Sequence, residues 1–173
     1  MSQFLKATSR QVGQAGEMYV AAEINRRGGN AVTFAGNIAD IDLLAMNSLN
    51  TRRISIQVNT KGPGSSMWQT STTMGRAAGD VPEDEREGRF WVLVDLKPAH
   101  PIFYVMPEWW VRDDIDRAHR AMLARQPGGV RRDTPDSTHH AITIARVAQW
   151  KDDWLTLGIF ESTSITEAPP EPE

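Results

Sequence analysis

The stretch from Asn37 to Gly62, NIADIDLLAMNSLNTRRISIQVNTKG, constrains the fold more than any other part of the chain. Its second half, Ile54-Ser55-Ile56-Gln57-Val58-Asn59-Thr60-Lys61, is rich in β-branched residues and alternates in character, which is the pattern of a strand. Alternation sends Ile54, Ile56 and Val58 to one face and Gln57, Asn59 and Lys61 to the other, so one face is core and the other a row of polar heads. Upstream, Asp40 and Asp42 alternate in the same way, and the turn-like Asn47 to Thr51 folds the two strands into a hairpin. The acidic groups can then face Gln57, Asn59 and Lys61 across adjacent strands. Carboxylate and amide oxygens are hard donors suited to Mg²⁺ or Mn²⁺, and a nearby ammonium stabilises charge at a phosphoryl centre.

An acidic residue opening a strand, a short hairpin and then an acidic residue or Gln two before a Lys on the next strand resembles the PD-(D/E)xK nuclease superfamily, which includes restriction endonucleases and Holliday-junction resolvases. Here the first element reads Ala39-Asp40-Ile41-Asp42 and the second Gln57-Val58-Asn59. The family's proline is absent, Gln57 stands for its second carboxylate, and Asn59 occupies its lysine position. Lys61 lies two residues further on the same face, roughly 7 Å along the strand, on a flexible stem. Two outcomes stay open: Lys61 takes over the missing charge, or the chemistry is lost. Asp42 is favoured over Asp40 as the ligand because it directly precedes the apolar Leu43-Leu44-Ala45, as in resolvase-like sequences; Asp40 is left to a supporting or surface role.

Residues Ser9 to Arg27 read as a helix, capped at Ser9 and stopped by Gly28-Gly29, with Val12, Gly16, Val20 and Ile24 as its buried stripe. Glu17 lies seven residues before Ile24, about 20° away around the axis, at the edge of the stripe that faces the sheet. An inward carboxylate needs a partner. Gly16-Glu17 matches the Gly-Glu pair with which the resolvase-like branch adds an acidic group to its metal site, while a salt bridge to an arginine is the plain alternative.

The remaining segments complete an α/β pattern. Ala31 to Phe34 is a short strand ending in a Gly36-Asn37 turn. Gly62 to Arg86 is a long loop with at most a short strand near Met67 to Ser71; Trp68, Gln69 and Arg76 there are candidates for contacting a nucleic-acid backbone, Trp68 as a stacking surface, against the plainer reading that Trp68 covers a core edge. Arg89 to Leu96 and Ile102 to Met106 are apolar runs that read as antiparallel central strands. Pro107-Glu108 starts a helix. His139 to Ile144 reads as an edge strand and Ala145 to Leu157 as a last helix. Adjacent histidines on a strand point opposite ways, so His139 and His140 are not expected to chelate one ion.

Size and composition set the outer limits. The 173 residues are predicted to form one domain over 1–162, with 163–173, ending Ala-Pro-Pro-Glu-Pro-Glu, a disordered acidic tail. There is no cysteine, no apolar run long enough to span a membrane and no signal segment, so a cytoplasmic protein with no membrane role is expected. A net charge of −3 from 19 basic and 22 acidic residues gives no global pull toward phosphate, and neither supports nor excludes nucleic acid. The resemblance implies a restriction endonuclease-like fold, a mixed sheet of about five strands flanked by helices. It also implies a Mg²⁺- or Mn²⁺-dependent phosphodiesterase acting on DNA, with Glu17, Asp42 and Gln57 on the metal and Asp42, Gln57, Asn59 and Lys61 in the catalytic set. The rival is a nuclease-fold module that has lost its chemistry with Asn59 and binds nucleic acid or a partner protein; DNA is the expected partner, with a homodimer or a partner protein also open.

Overall fold

Helix α1, Ser9–Arg26, begins where Thr8 and Gln11 close a capping box, one residue ahead of the expected Ser9 cap. Thr8 Oγ1 accepts from the Gln11 N–H at 3.3 Å, and Gln11 Oε1 accepts from the Thr8 N–H at 2.9 Å. It ends at Gly28, whose φ of 87° only glycine adopts at no cost. The structure is a computed structural model describing residues 7–38, 41–83, 86–126 and 137–160, with backbone alone over 35–38. Asp40 and the 163–173 tail lie outside the described residues.

After α1 come β1 (Asn30–Ile38), β2 (Ile41–Met46), β3 (Arg53–Lys61), β4 (Met67–Ser71), β5 (Arg89–Asp95) and β6 (Ile102–Pro107). Helix α2 (Glu108–Ala124), β7 (His139–Thr143) and the short α3 (Ile144–Val147) follow. The main sheet has the order β1-β2-β3-β5-β6, with β3 and β5 parallel and the other neighbours antiparallel. This is the mixed five-stranded α/β architecture flanked by helices that the resemblance implied. β1 is longer than the expected 31–34, because its pairing with β2 resumes at Ile38↔Ile41 after an irregularity. The β2–β3 turn is held by Asn47 Oδ1, which accepts from the N–H groups of Thr51 and Arg52, and Asn50 takes a φ of 57°.

Two cores sandwich the sheet. Beneath α1 lie Val20, Ile24, Leu43, Ala45, Ile54, Ile56 and Val92, joined by Trp154 and Leu157. On the opposite face Trp91, Leu93, Tyr104 and Met106 pack against Val111 and Ile115 of α2 and against Trp68 and Ile142 of the small β4-β7 sheet. Each such aliphatic contributes about 1.5–3 kcal/mol on full burial.

The expected last helix over Ala145 to Leu157 is replaced by α3, a 3₁₀ turn at Ala148–Trp150 and another at Trp154–Leu157. Val147 packs in one core and Trp154 in the other, so the chain must pass around the sheet edge, which a single straight helix cannot do. Lys151 bridges to Tyr104, and the Asp152 N–H donates to the Phe103 carbonyl at 2.8 Å, so backbone pairing at the β6 edge replaces helical bonds there. The strand expected over His139 to Ile144 ends at Thr143 and pairs with β4 rather than with the main sheet. No helix among the described residues is long and apolar enough to cross a membrane.

Candidate active site at the open end of the central hairpin

The register Leu43↔Ile56 decides which side chains share a face of the sheet. Leu43 and Ile56 both enter the core beneath α1, so their neighbours Asp42 and Gln57 both turn to the opposite face. The β2–β3 ladder stops at this pair. Two residues on, the Val58 N–H donates to Asp42 Oδ2 at 2.7 Å, which pins the carboxylate in the mouth between the strands. A backbone donor held by a side chain instead of the next rung is what keeps this end of the hairpin open.

Glu17 arrives from the helix side. A Cβ at position 16 would lie 1.8 Å from Thr60 Oγ1, so only glycine lets α1 sit this close to β3. The close approach brings Glu17 within reach of the Asp42 charge. Burial pushes the Glu17 carboxyl above the ordinary range, and the negative charge of Asp42 pushes it further. Burial raises Asp42 as well, offset in part by the Val58 N–H. Half-buried Gln57 sits between Asp42 on one side and, in parallel register, Trp91 on the other.

Among the described residues no group of three or more His, Cys, Asp or Glu side chains is arranged to hold a metal ion. The donors expected from the sequence, Glu17, Asp42 and Gln57, would amount to two carboxylates and an amide. That set suits Mg²⁺ or Mn²⁺, since Mg²⁺ is commonly bound through one or two carboxylates and completes its shell with water and phosphate. A cation there would also relieve the repulsion that raises Glu17.

The other expected residues divide. Asn59 Nδ2 donates to the Gln69 carbonyl at 2.8 Å, tying the lysine position of the motif to β4. The expectation that Lys61 stands near a scissile phosphate is corrected. Its side chain is 2% exposed, with Nζ 2.5 Å from Asp95 Oδ2 and 4.9 Å from the centre of the Trp68 ring. The parallel register Lys61↔Asp95 supplies the acid, and an ammonium so engaged is not available to a substrate. The reading of Trp68 as a stacking surface is also corrected: the residue is 1% exposed, its Nε1–H donates to the Val94 carbonyl at 2.9 Å, and its ring meets Tyr104 edge-on. Gln69 is exposed, and Arg76 lines a small cavity with Arg89, Glu108 and Arg112. Asp95, Arg89, Glu108 and Arg112 were not singled out from sequence; the one local hint is the four-residue spacing of Glu108 and Arg112 on a helix.

The fold is α/β, with a mixed five-stranded sheet flanked by helices. It is similar to that of a bacterial homing endonuclease, I-Ssp6803I, with a TM-score of 0.49 and 12% identity over 88% of this chain and 94% of that one. It is also similar to Hjc, a Holliday junction resolvase of Archaeoglobus fulgidus, with a TM-score of 0.45 and 14% identity over 87% of this chain and 98% of that one. At such identities no residue role passes from them to this chain. No protein-family model matches the sequence, and no curated protein does.

Proposed function

We propose that this protein binds Mg²⁺ or Mn²⁺ through Glu17, Asp42 and Gln57 and hydrolyses phosphodiester bonds in DNA. The observation that carries the reading is the half-buried Asp42 carboxylate held by the Val58 N–H at the open end of the hairpin, raised by burial, with Glu17 of α1 raised by burial and further by the charge of Asp42. Like charges held together in a partly buried site are disfavoured unless a cation joins them. The Val58 N–H fixes one oxygen of Asp42, Glu17 adds a second negative group, and Gln57 adds a neutral oxygen that lowers the ligand charge by one relative to a three-carboxylate set. When bound, the cation supplies Lewis-acid stabilisation of charge on the phosphoryl group. Asn59, its amide nitrogen held by Gln69, leaves Oδ1 as an acceptor that can orient a water.

A second reading, a nuclease-fold module that binds DNA or a protein without cutting, is favoured by the engagement of Lys61 with Asp95 and of Asn59 with Gln69. Cleavage of a panel of linear, supercoiled and branched DNA with Mn²⁺ separates the two. Cutting by the wild type that Asp42→Asn abolishes supports the first. An inactive wild type made active by Asn59→Lys supports the second. Inactivity of every variant, together with no effect of Mn²⁺ on melting, would remove the metal site altogether.

A further inference from the structure

We propose that the cavity between the start of α1 and β4 receives an unpaired nucleobase of the DNA strand whose backbone lies at Asp42; this rests on the DNA reading above and narrows the substrate to DNA with a base out of the stack. The cavity, of about 690 Å³, lies between Val12 of α1, Asn59 of β3, the turn over 62–65 and Gln69 of β4. That volume falls in the range of small-molecule sites, roughly 300–1,000 Å³, and accommodates a nucleoside.

The lining selects against phosphate. Among the described residues that border the cavity Lys61 is the only charged one, and its ammonium is held by Asp95. An uncharged ligand with hydrogen-bonding edges and apolar faces fits such walls. Val12, Pro63 and Met67 supply apolar surface. Gln69 supplies the polar group. Its neighbour Trp68 turns into the second core, so the Gln69 side chain turns to the exposed side, while the Gln69 carbonyl is held by Asn59 Nδ2 at 2.8 Å. The side-chain amide of Gln69 has no hydrogen bond to a described residue. A carboxamide presents a donor and an acceptor side by side, which match the edge of a base. The turn is formed before any ligand arrives: the Ser65 N–H donates to the Gly62 carbonyl at 3.0 Å, and Ser65 Oγ donates to the Met67 carbonyl at 2.6 Å.

Position links the cavity to the carboxylates. β2 stops pairing at Leu43↔Ile56 while β3 continues to Lys61, so the 57–61 stretch of β3 has a hydrogen-bonded strand neighbour on the β5 side alone. Along that open edge come first the Asp42 carboxylate, held by the Val58 N–H, and then Asn59 and the cavity. From Gln57 to Asn59 is roughly 7 Å of strand, and from Glu17 back to Val12 is roughly 7 Å of helix, so both scaffolds put the cavity the same step beyond the carboxylates. A phosphate at Asp42 and a base in the cavity are then one or two nucleotides apart, at about 3.4 Å of strand axis per nucleotide. A base in the cavity cannot stay stacked in a duplex, and taking it out costs least where it has no pairing partner.

The test is anisotropy of labelled 20-base-pair duplexes with the full chain in EDTA, so that cleavage does not enter: one fully paired, one with a single bulged adenosine, and one with an abasic site at the bulge. The wild type should bind the adenosine bulge about tenfold more tightly than the paired duplex. The abasic bulge, which keeps the bend and removes the base, should lose most of that preference. A Cβ added at Gly64 meets nothing within 4 Å, so Gly64→Leu extends into the space at the rim of the cavity; it and Gln69→Ala should each remove the preference for the base. Equal affinity for the adenosine and abasic bulges overturns the proposal, as does a preference that both variants keep. So does a melting temperature raised by free adenosine with no preference among the duplexes. A base preference without Mn²⁺-dependent cleavage keeps the pocket and removes the nuclease reading. Cleavage that is lost in Asp42→Asn but runs equally on paired and bulged DNA in the wild type, with no difference in their binding, does the reverse.

Discussion

Four residues apart on one face of β3, the protein treats charge in opposite ways. Near the open end of the hairpin, Glu17 and Asp42 are like charges, and burial holds both carboxyls above their ordinary range. At Lys61 an ammonium and the Asp95 carboxylate, 2% and 5% exposed, lie 2.5 Å apart, and Asp95 Oδ1 also accepts from the Lys97 N–H at 2.9 Å. The first pair lacks balance by itself, and under the proposed function a cation would supply it. The second is balanced by itself and is part of the packing. A lysine two residues from a motif position therefore says little until it is known what the neighbouring strand places opposite it.

The largest expected effect breaks the balanced pair. Lys61→Ala leaves Asp95 buried without its cation and should cost about 3–5 kcal/mol in urea denaturation. A loss below about 1 kcal/mol, the range of exposed pairs, would show that the pair is not the closed structural unit described. Next comes cation binding at the unbalanced pair. Mn²⁺ at a hundredfold its dissociation constant should stabilise the wild type by about 2.7 kcal/mol, and Asp42→Asn should remove the effect. Equal stabilisation of both would place the ion elsewhere.

Smaller effects sharpen the contrast. Gly16→Ala forces a Cβ into Thr60, and an overpacking cost of about 1–3 kcal/mol outweighs a helix-propensity gain of about 1 kcal/mol. Calorimetry should show a lower Tm and a weaker Mn²⁺ response, and an unchanged Mn²⁺ response would separate the helix approach from the site. The smallest effect is in pH dependence. Glu17 and Asp42 have raised folded-state values, so the fold binds their protons more tightly than the unfolded chain does. Their contribution is fully present below the ordinary carboxylate range and is lost as pH rises through the raised values. Without metal, Glu17→Gln should therefore be slightly more stable than wild type at neutral pH and gain less on mild acidification, as read from urea midpoints across the pH series.

Much of this was legible in residue order because its causes are local. Alternation in Ile54 to Lys61 and the turn residues Asn47 and Asn50 specify the hairpin, and the four-residue steps of Val12, Gly16, Val20 and Ile24 specify the face of α1. Strand period alone sets Asp42 and Gln57 to one side once the hairpin register is given. What local pattern could not supply were contacts between segments distant in sequence. The parallel register of β3 with β5 brings Asp95, thirty-four positions on, beside Lys61 and converts a candidate catalytic lysine into a buried ion pair. Trp68 reads as a loop residue until β4 is laid against the second core, where burial of its ring and its bond to Val94 outweigh any exposed role. The break in the last helix arises because Val147 and Trp154 pack in different layers. Side-chain period is a property of each element alone, whereas the partner of a charge depends on which elements become neighbours, and only the tertiary structure decides that.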